Sequence, residues 1–346
     1  MKAWPVPMLA LILALGVRGS AAADAPAVQT KAPTGQDLAE EAGASLIGKY
    51  APAITLTTID GRKIDLGKFY GRKPVYLKFW ATWCVPCRLQ MPHFETAERT
   101  LGRDIQVIAV NAGFNETPEA VRRYRQTMGL TMPVVIDDGR LADALHLRVT
   151  PQHVVIGRDG RILYVGHLAD ARVDHALAEA IAEPPAAHVE PAAGRSVKRS
   201  PAPALKTLAG ETLALGDGKR PTVIFLFSPW CETYLQTSRP EMAKACLDAR
   251  EQASRLARAP GARWVGAAAG LWATRQDLAA YQHEHPMPMP VALDETGGFF
   301  RSFGVADVPA FVVLDPRGRV VARTRLAGQA ARAAKALSPS WTRRPS

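Results

Sequence analysis

Two long apolar runs, PVYLKFWATWC from Pro74 and PTVIFLFSPWC from Pro221, break the mixed polar and apolar pattern of the chain. Each predicts a strand buried on both faces. The segments around them repeat as well. APAITLTTIDGRKIDL (Ala51 to Leu66) parallels APALKTLAGETLALG (Ala202 to Gly216), and both suggest a short hairpin. YRQTMGLTMPVVIDD (Tyr124 to Asp138) matches YQHEHPMPMPVALDE (Tyr281 to Glu295) without a gap. LRVTPQHVVIGRDGRILYVG (Leu147 to Gly166) matches FGVADVPAFVVLDPRGRVVAR (Phe303 to Arg323), each with a proline entering a strand before a glycine-containing turn. A duplication is the simplest reading. Each half is predicted to run hairpin, strand, helix, strand, helix, strand, strand, helix. That order mixes parallel crossovers with an antiparallel edge, an α/β architecture of two tandem domains, each a central mixed sheet flanked by helices.

The remaining stretches lack sustained periodicity. Lys2, the apolar run from Met8 to Val17 and Ala21-Ala22-Ala23 follow the charged, apolar and small-residue order of a cleaved secretory signal. Residues 1–23 are assigned to it, and the expected location is the periplasm. The run is shorter than the roughly 18 apolar residues that a membrane span needs. Residues 24–44 are expected to form a flexible tail, 183–202 a Pro- and Ala-rich linker, and 327–346 a C-terminal tail. The first domain is therefore assigned to 45–182 and the second to 203–326. With 346 residues, each can bury its own core. The net charge of +11 is spread without a long basic block interleaved with aromatics, which argues against nucleic-acid binding.

Export gives weight to the four cysteines, because thiols outside the cytoplasm are either paired or kept reduced for a purpose. Cys84 and Cys87 form a CxxC motif at a predicted helix start. There the unpaired N–H groups and the helix dipole favour a thiolate on Cys84, while Cys87, one turn on, can resolve a mixed disulfide. Pro86 is tolerated in the first turn, which needs no donor at that position. A permanent disulfide is the plain alternative. A zinc site would need a second pair of ligands that His93 alone does not supply, so no metal and no cofactor are expected.

FWATWCVPCR, with VTPQ further on, resembles the active-site and cis-proline segments of the thioredoxin superfamily, specifically the exported TlpA/ResA-like thiol-disulfide oxidoreductases. The resemblance covers about residues 45–182, and the second half resembles the same fold with a degraded motif. It implies a disulfide reductase acting on cysteines of exported proteins and kept reduced by a membrane thiol transporter. It also implies that Trp83 flanks the thiolate and that Pro151, in cis beside Thr150, presses on the cysteine pair and leaves backbone free for an extended substrate. Lys78 departs from the family pattern, which commonly has an acid there. A buried ammonium would favour the thiolate, whereas a side chain snorkelling to the strand edge would do nothing. The dipeptide Val85-Pro86 leaves the direction, reductase or oxidase, open.

The second half keeps Trp230, Cys231 and Pro309 but has Tyr234 where the second cysteine would stand. Cys246 lies fifteen residues after Cys231, about 22 Å on one unbroken helix. A loop or doubled-back helix would let the two form a structural disulfide. An unpaired state and a mixed-disulfide role for Cys231 are the alternatives. This half is expected to serve in docking. HEHPMPMP (His283 to Pro290), with Cys84 and Cys87, admits a different reading, a copper-binding metallochaperone, and a non-catalytic protein whose second domain holds a partner is a further alternative. The gapless match to QTMGLTMP favours core packing of its methionines instead.

Overall fold

In a computed structural model, which describes residues 33–185, 202–216 and 218–337, the two apolar runs become the central strands of two five-stranded sheets. The first half comprises α1 (Gly35–Ala44), β1 (Thr55–Thr57), β2 (Lys63–Asp65), β3 (Val75–Trp80), α2 (Val85–Leu101), β4 (Gln106–Asn111) and α3 (Pro118–Met128). It continues through β5 (Val134–Ile136), α4 (Arg140–Ala144), β6 (Gln152–Ile156), β7 (Ile162–Gly166) and α5 (Ala171–Ala182). The second half comprises β8 (Thr222–Phe227), α6 (Cys231–Tyr234), α7 (Pro240–Leu256), β9 (Arg263–Ala269) and α8 (Arg275–Glu284). It ends with β10 (Val291–Asp294), α9 (Gly298–Ser302), β11 (Ala310–Leu314), β12 (Val320–Thr324) and α10 (Ala327–Leu337).

The strand orders, β5-β4-β3-β6-β7 and β10-β9-β8-β11-β12, are the same. In both, the first three strands are parallel and the last two antiparallel. Every residue of β3 and of β8 is buried, which explains continuous apolar runs rather than alternation. Each sheet has one strand more than the expected order, the short edge strands β5 and β10. The hairpin expected at 202–216 is reduced to the bridges Lys206 to Thr212 and Thr207 to Ala292. Among the described residues, no helix is long and apolar enough to cross a membrane.

The signal segment and most of the linker lie outside the described residues. Two other expectations about the ends change. The tail predicted through residue 44 ends instead in α1, capped by the reciprocal hydrogen bonds of Thr34 and Asp37. The tail predicted from residue 327 begins as α10, whose Ala327, Ala330 and Ala334 face the second core.

Each half has a core of its own on one side of its sheet, around Leu77, Phe79 and Val154 in the first and Phe225, Trp264 and Phe311 in the second. The largest apolar cluster belongs to both. It runs without interruption from Met91, Phe94 and Trp80 through Trp83, Cys84 and Cys231 to Phe300 and Val308.

Gln36 ties helix α1 to the residues that follow β7. Buried Gln36 accepts the N–H groups of His167 and Leu168 on a single oxygen, at 2.8 and 3.0 Å. Gln36→Leu would strand both donors. We expect it to lower unfolding stability by about 2 kcal/mol, read as a fall in the urea midpoint, whereas Glu41→Leu on the same helix should leave the midpoint nearly unchanged.

Candidate active site

Strand β3 delivers the chain into a tight loop that ends at Cys84, the N-cap of α2. The Cys87 N–H donates to Cys84 Sγ at 3.1 Å, so the helix start aims a backbone donor at the sulfur. The two cysteines are disulfide-bonded. Thr150–Pro151 is a cis peptide bond, and the Thr150 carbonyl oxygen lies 3.2 Å from Cys84 Sγ. Trp83 Nε1 donates to the Phe114 carbonyl at 2.8 Å, which pins the indole beside the motif. Cys84, Cys87, Trp83, Thr150 and Pro151 thus meet at one end of the sheet.

Lys78 does not snorkel. Its side chain is fully buried, with Nζ 5.4 Å from the Phe94 ring centroid and without a hydrogen-bond partner. Burial pushes its ammonium down to about 7. On the adjacent strand its registry partner is His153, which is also buried. His153 Nε2 donates to Gln90 Oε1 at 2.8 Å, and Nδ1 accepts from the Tyr76 hydroxyl at 2.7 Å. That arrangement requires the neutral ring, and burial together with the nearby Lys78 charge holds its pKa well below the usual histidine range. His167 donates from Nδ1 to the Pro151 carbonyl at 2.6 Å. The sequence reading passed over these residues. The available signal was His153 standing as the one ionisable residue in the apolar strand QHVVI.

In the second half the helix breaks after Tyr234. Pro240, which opens α7, cannot donate to the preceding turn, and the chain turns back between them. Cys246 on the second turn of α7 thereby reaches Cys231, with Cα atoms 6.2 Å apart, and the two form a disulfide. Glu232, which accepts two hydrogen bonds from Arg250 and one from the Tyr281 hydroxyl, ties α6 to α7 and α8. Met287 and Met289 are buried in the second core, so their thioethers serve packing.

The two motif ends face each other. Trp83 stacks on Trp230 with ring centroids 4.9 Å apart, and Tyr234 meets Trp83 edge-on. The Tyr234 hydroxyl accepts the Val85 N–H at 2.9 Å. Asn115 N–H donates to the Ala306 carbonyl at 3.0 Å, and Trp272 N–H donates to the Arg148 carbonyl at 2.8 Å. Arg148 and Ala306 each precede a cis-proline by three residues, since Val308–Pro309 is also cis. Asn115 and Trp272 each stand two residues after a loop glycine and share a left-handed backbone, with φ of 54° and 59°. The contact is pseudo-twofold.

Residues 47–165 match the AhpC/TSA family. Thiol-disulfide oxidoreductase ResA of Bacillus thuringiensis (strain Al Hakam) is 35% identical over 119 residues, which span 34% of this chain and 67% of that protein. The thioredoxin-like protein YneN of Bacillus subtilis (strain 168) is 33% identical over 133 residues, 38% of this chain and 78% of that protein. Among solved structures, a thiol:disulfide interchange protein from Chlorobium tepidum is 26% identical, covering 38% of this chain and 95% of its own, with a TM-score of 0.35.

A fully buried amine leaves a thermodynamic signature. Below about pH 7 Lys78 is charged in both folded and unfolded chains, and the fold bears the whole cost of desolvating it. Between there and the ordinary lysine value only the unfolded chain holds the proton, so stability from this group rises with pH and the charge-burial cost is gone above that value, leaving the smaller cost of a neutral amine without a partner. Lys78→Met is expected to stabilise the protein by roughly 5 kcal/mol at pH 6, about 1.4 kcal/mol for each unit between the ordinary lysine value and about 7, with most of that gain lost above pH 10. Urea unfolding at both pH values measures it; a gain independent of pH would mean that the amine is not buried as charge.

Proposed function

Since the chain belongs to the ResA-like thiol-disulfide oxidoreductases of the thioredoxin-like AhpC/TSA family, we propose that it reduces disulfides in exported proteins through Cys84 and Cys87. The observation that carries this reading is the placement of Cys84. It caps a helix, receives the Cys87 N–H on its sulfur and abuts the carbonyl that precedes a cis-proline.

In the reduced enzyme the Cys84 thiolate attacks one sulfur of the substrate disulfide. A Cys84–substrate disulfide forms, and the other substrate sulfur leaves as thiolate. The Cys87 thiolate then attacks Cys84 Sγ, the second substrate sulfur leaves, and the Cys84–Cys87 disulfide remains. Two electrons have passed to the substrate. A dithiol donor returns them, and for an exported enzyme that donor is a membrane thiol transporter. Export itself is supported by the charged, apolar and small-residue order at residues 1–23.

Lys78 acts here as a tuning residue. Its neighbour Phe94 belongs to the same apolar cluster as Cys87. Positive charge in that low-dielectric surrounding lowers thiol pKa values and makes the thiolate easier to form. Trp83 and Thr150 line the surface that meets substrate, and Pro151 keeps the Thr150 backbone turned towards Cys84.

Separate roles for the two sulfurs give separate phenotypes. Cys84→Ser is expected to abolish insulin reduction. Cys87→Ser should instead accumulate a mixed disulfide with substrate, visible on non-reducing gels and by intact mass. The reduction potential of the pair tests direction: a value of about −270 mV fits a reductase, and one of about −120 mV would make the protein an oxidase.

A further inference from the structure

We propose that the second half is a built-in occupant of the first half's substrate surface, so that exchange at Cys84 begins only when the two halves part. The inference rests on the thiol-disulfide reading above for its consequence, but the occupancy stands on geometry alone.

Cys84, whose sulfur must touch another protein's sulfur, is only 1% exposed as a residue, and Trp83 beside it is 2% exposed. Cys84 Sγ is bounded within its own half by Cys87 and the Thr150 carbonyl, and side chains of the second half stand against the flanking Trp83 and Val85. Trp230 lies on the Trp83 indole, and the Tyr234 hydroxyl accepts the Val85 N–H beside the motif. Tyr234 stands where the resolving cysteine of this copy would be, and its ring packs edge-on against Trp83 of the intact motif.

The backbone is covered in the same way. An extended substrate chain would draw its hydrogen bonds from the loop before Pro151. Trp272 N–H already occupies the Arg148 carbonyl at 2.8 Å, and its indole N–H donates to Thr150 Oγ1 at 3.1 Å. Trp272 holds a left-handed φ of 59°, uncommon for a large side chain and maintained only where surroundings over-determine it. Those surroundings are close. The ring meets His167 edge-on at 5.3 Å, and Gly35 of α1 approaches so near that a Cβ there would lie 2.9 Å from Trp272 Cη2.

The lock centres on Arg239. It donates to the Asn115 carbonyl at 2.7 Å and to Thr82 Oγ1, and lies 3.5 Å from the Glu116 carboxylate, whose side chain is 1% exposed. Glu116 in turn accepts from Thr82 and Asn111. At the rim, Arg301 pairs with Asp143 at 2.6 Å and Arg148 with Glu295 at 3.6 Å. A partner that displaces this cover must replace what it supplies: an extended segment with a backbone donor for the Arg148 carbonyl and an aromatic face for Trp83. Disulfides in unfolded chains flanked by aromatic residues have that chemistry; disulfides sealed in folded cores do not.

The test is the alkylation rate of Cys84 by iodoacetamide in the reduced full-length chain, followed by mass spectrometry of the Cys84 peptide. Arg239→Ala and Trp272→Ala should each raise the rate about tenfold or more, since reactivity follows the open fraction. Unchanged rates in both folded variants overturn the proposal. Should either variant fail to fold, the rim pair decides: Asp143→Arg is expected to speed alkylation and the swap Asp143→Arg with Arg301→Asp to restore the slow rate, and no change in either overturns it. Faster alkylation without any insulin reduction would leave the cover standing and remove the reductase reading. Rapid insulin reduction by the wild type, with alkylation equally fast in all forms, would do the reverse.

Discussion

A loop that enters a strand through a cis-proline lacks one backbone donor, and the carbonyls just before it have no ladder partner within their own sheet. Both halves carry such a loop, at Pro151 and at Pro309. Each is satisfied by the other. The Arg148 carbonyl takes the Trp272 N–H, and the Ala306 carbonyl takes the Asn115 N–H, while the Val308 N–H finds Asn115 Oδ1. The left-handed backbone at Asn115 and Trp272, the stacked tryptophans and the apolar cluster that crosses from one half to the other all accompany this exchange.

The copies differ in the interior as well as at the motif. In the first sheet Lys78 and His153 sit opposite each other; the corresponding pair in the second is Phe225 and Phe311, stacked 5.0 Å apart. An unpartnered amine is a continuing cost, and the second copy, which lacks the CxxC pair, does not carry one at this position. Stacked aromatics fill the same layer with no polar atom to satisfy. The Cys231–Cys246 disulfide belongs with that change, since it joins α6 to α7 instead of spanning one helical turn.

Much of this was readable from the sequence because it is written in local pattern. Continuous apolar runs located β3 and β8, the duplication followed from matched segments, and CxxC before a helix located Cys84 and Cys87. What was not readable depends on partners far along the chain. Helix α1 is held by the N–H groups of His167 and Leu168, more than a hundred residues away, so its own composition looked like that of a tail. Lys78 was ambiguous because a lysine in an apolar run carries two opposing signals, and burial won. The Cys231–Cys246 pairing waited on a helix break that Ser238-Arg239-Pro240 hinted at without fixing. The covering of Cys84 was invisible, because no segment taken alone reveals that two strand-end loops interlock.

A pseudo-twofold contact between tandem copies is the geometry of an isologous dimer written into one polypeptide. Two separate chains meeting through these faces would mask their active sites only at high concentration and release them on dilution. Joined in one chain, the faces meet at an effective concentration that dilution does not alter. The shielding of Cys84 is therefore a property of each molecule, the same in a sparse compartment as in a crowded one.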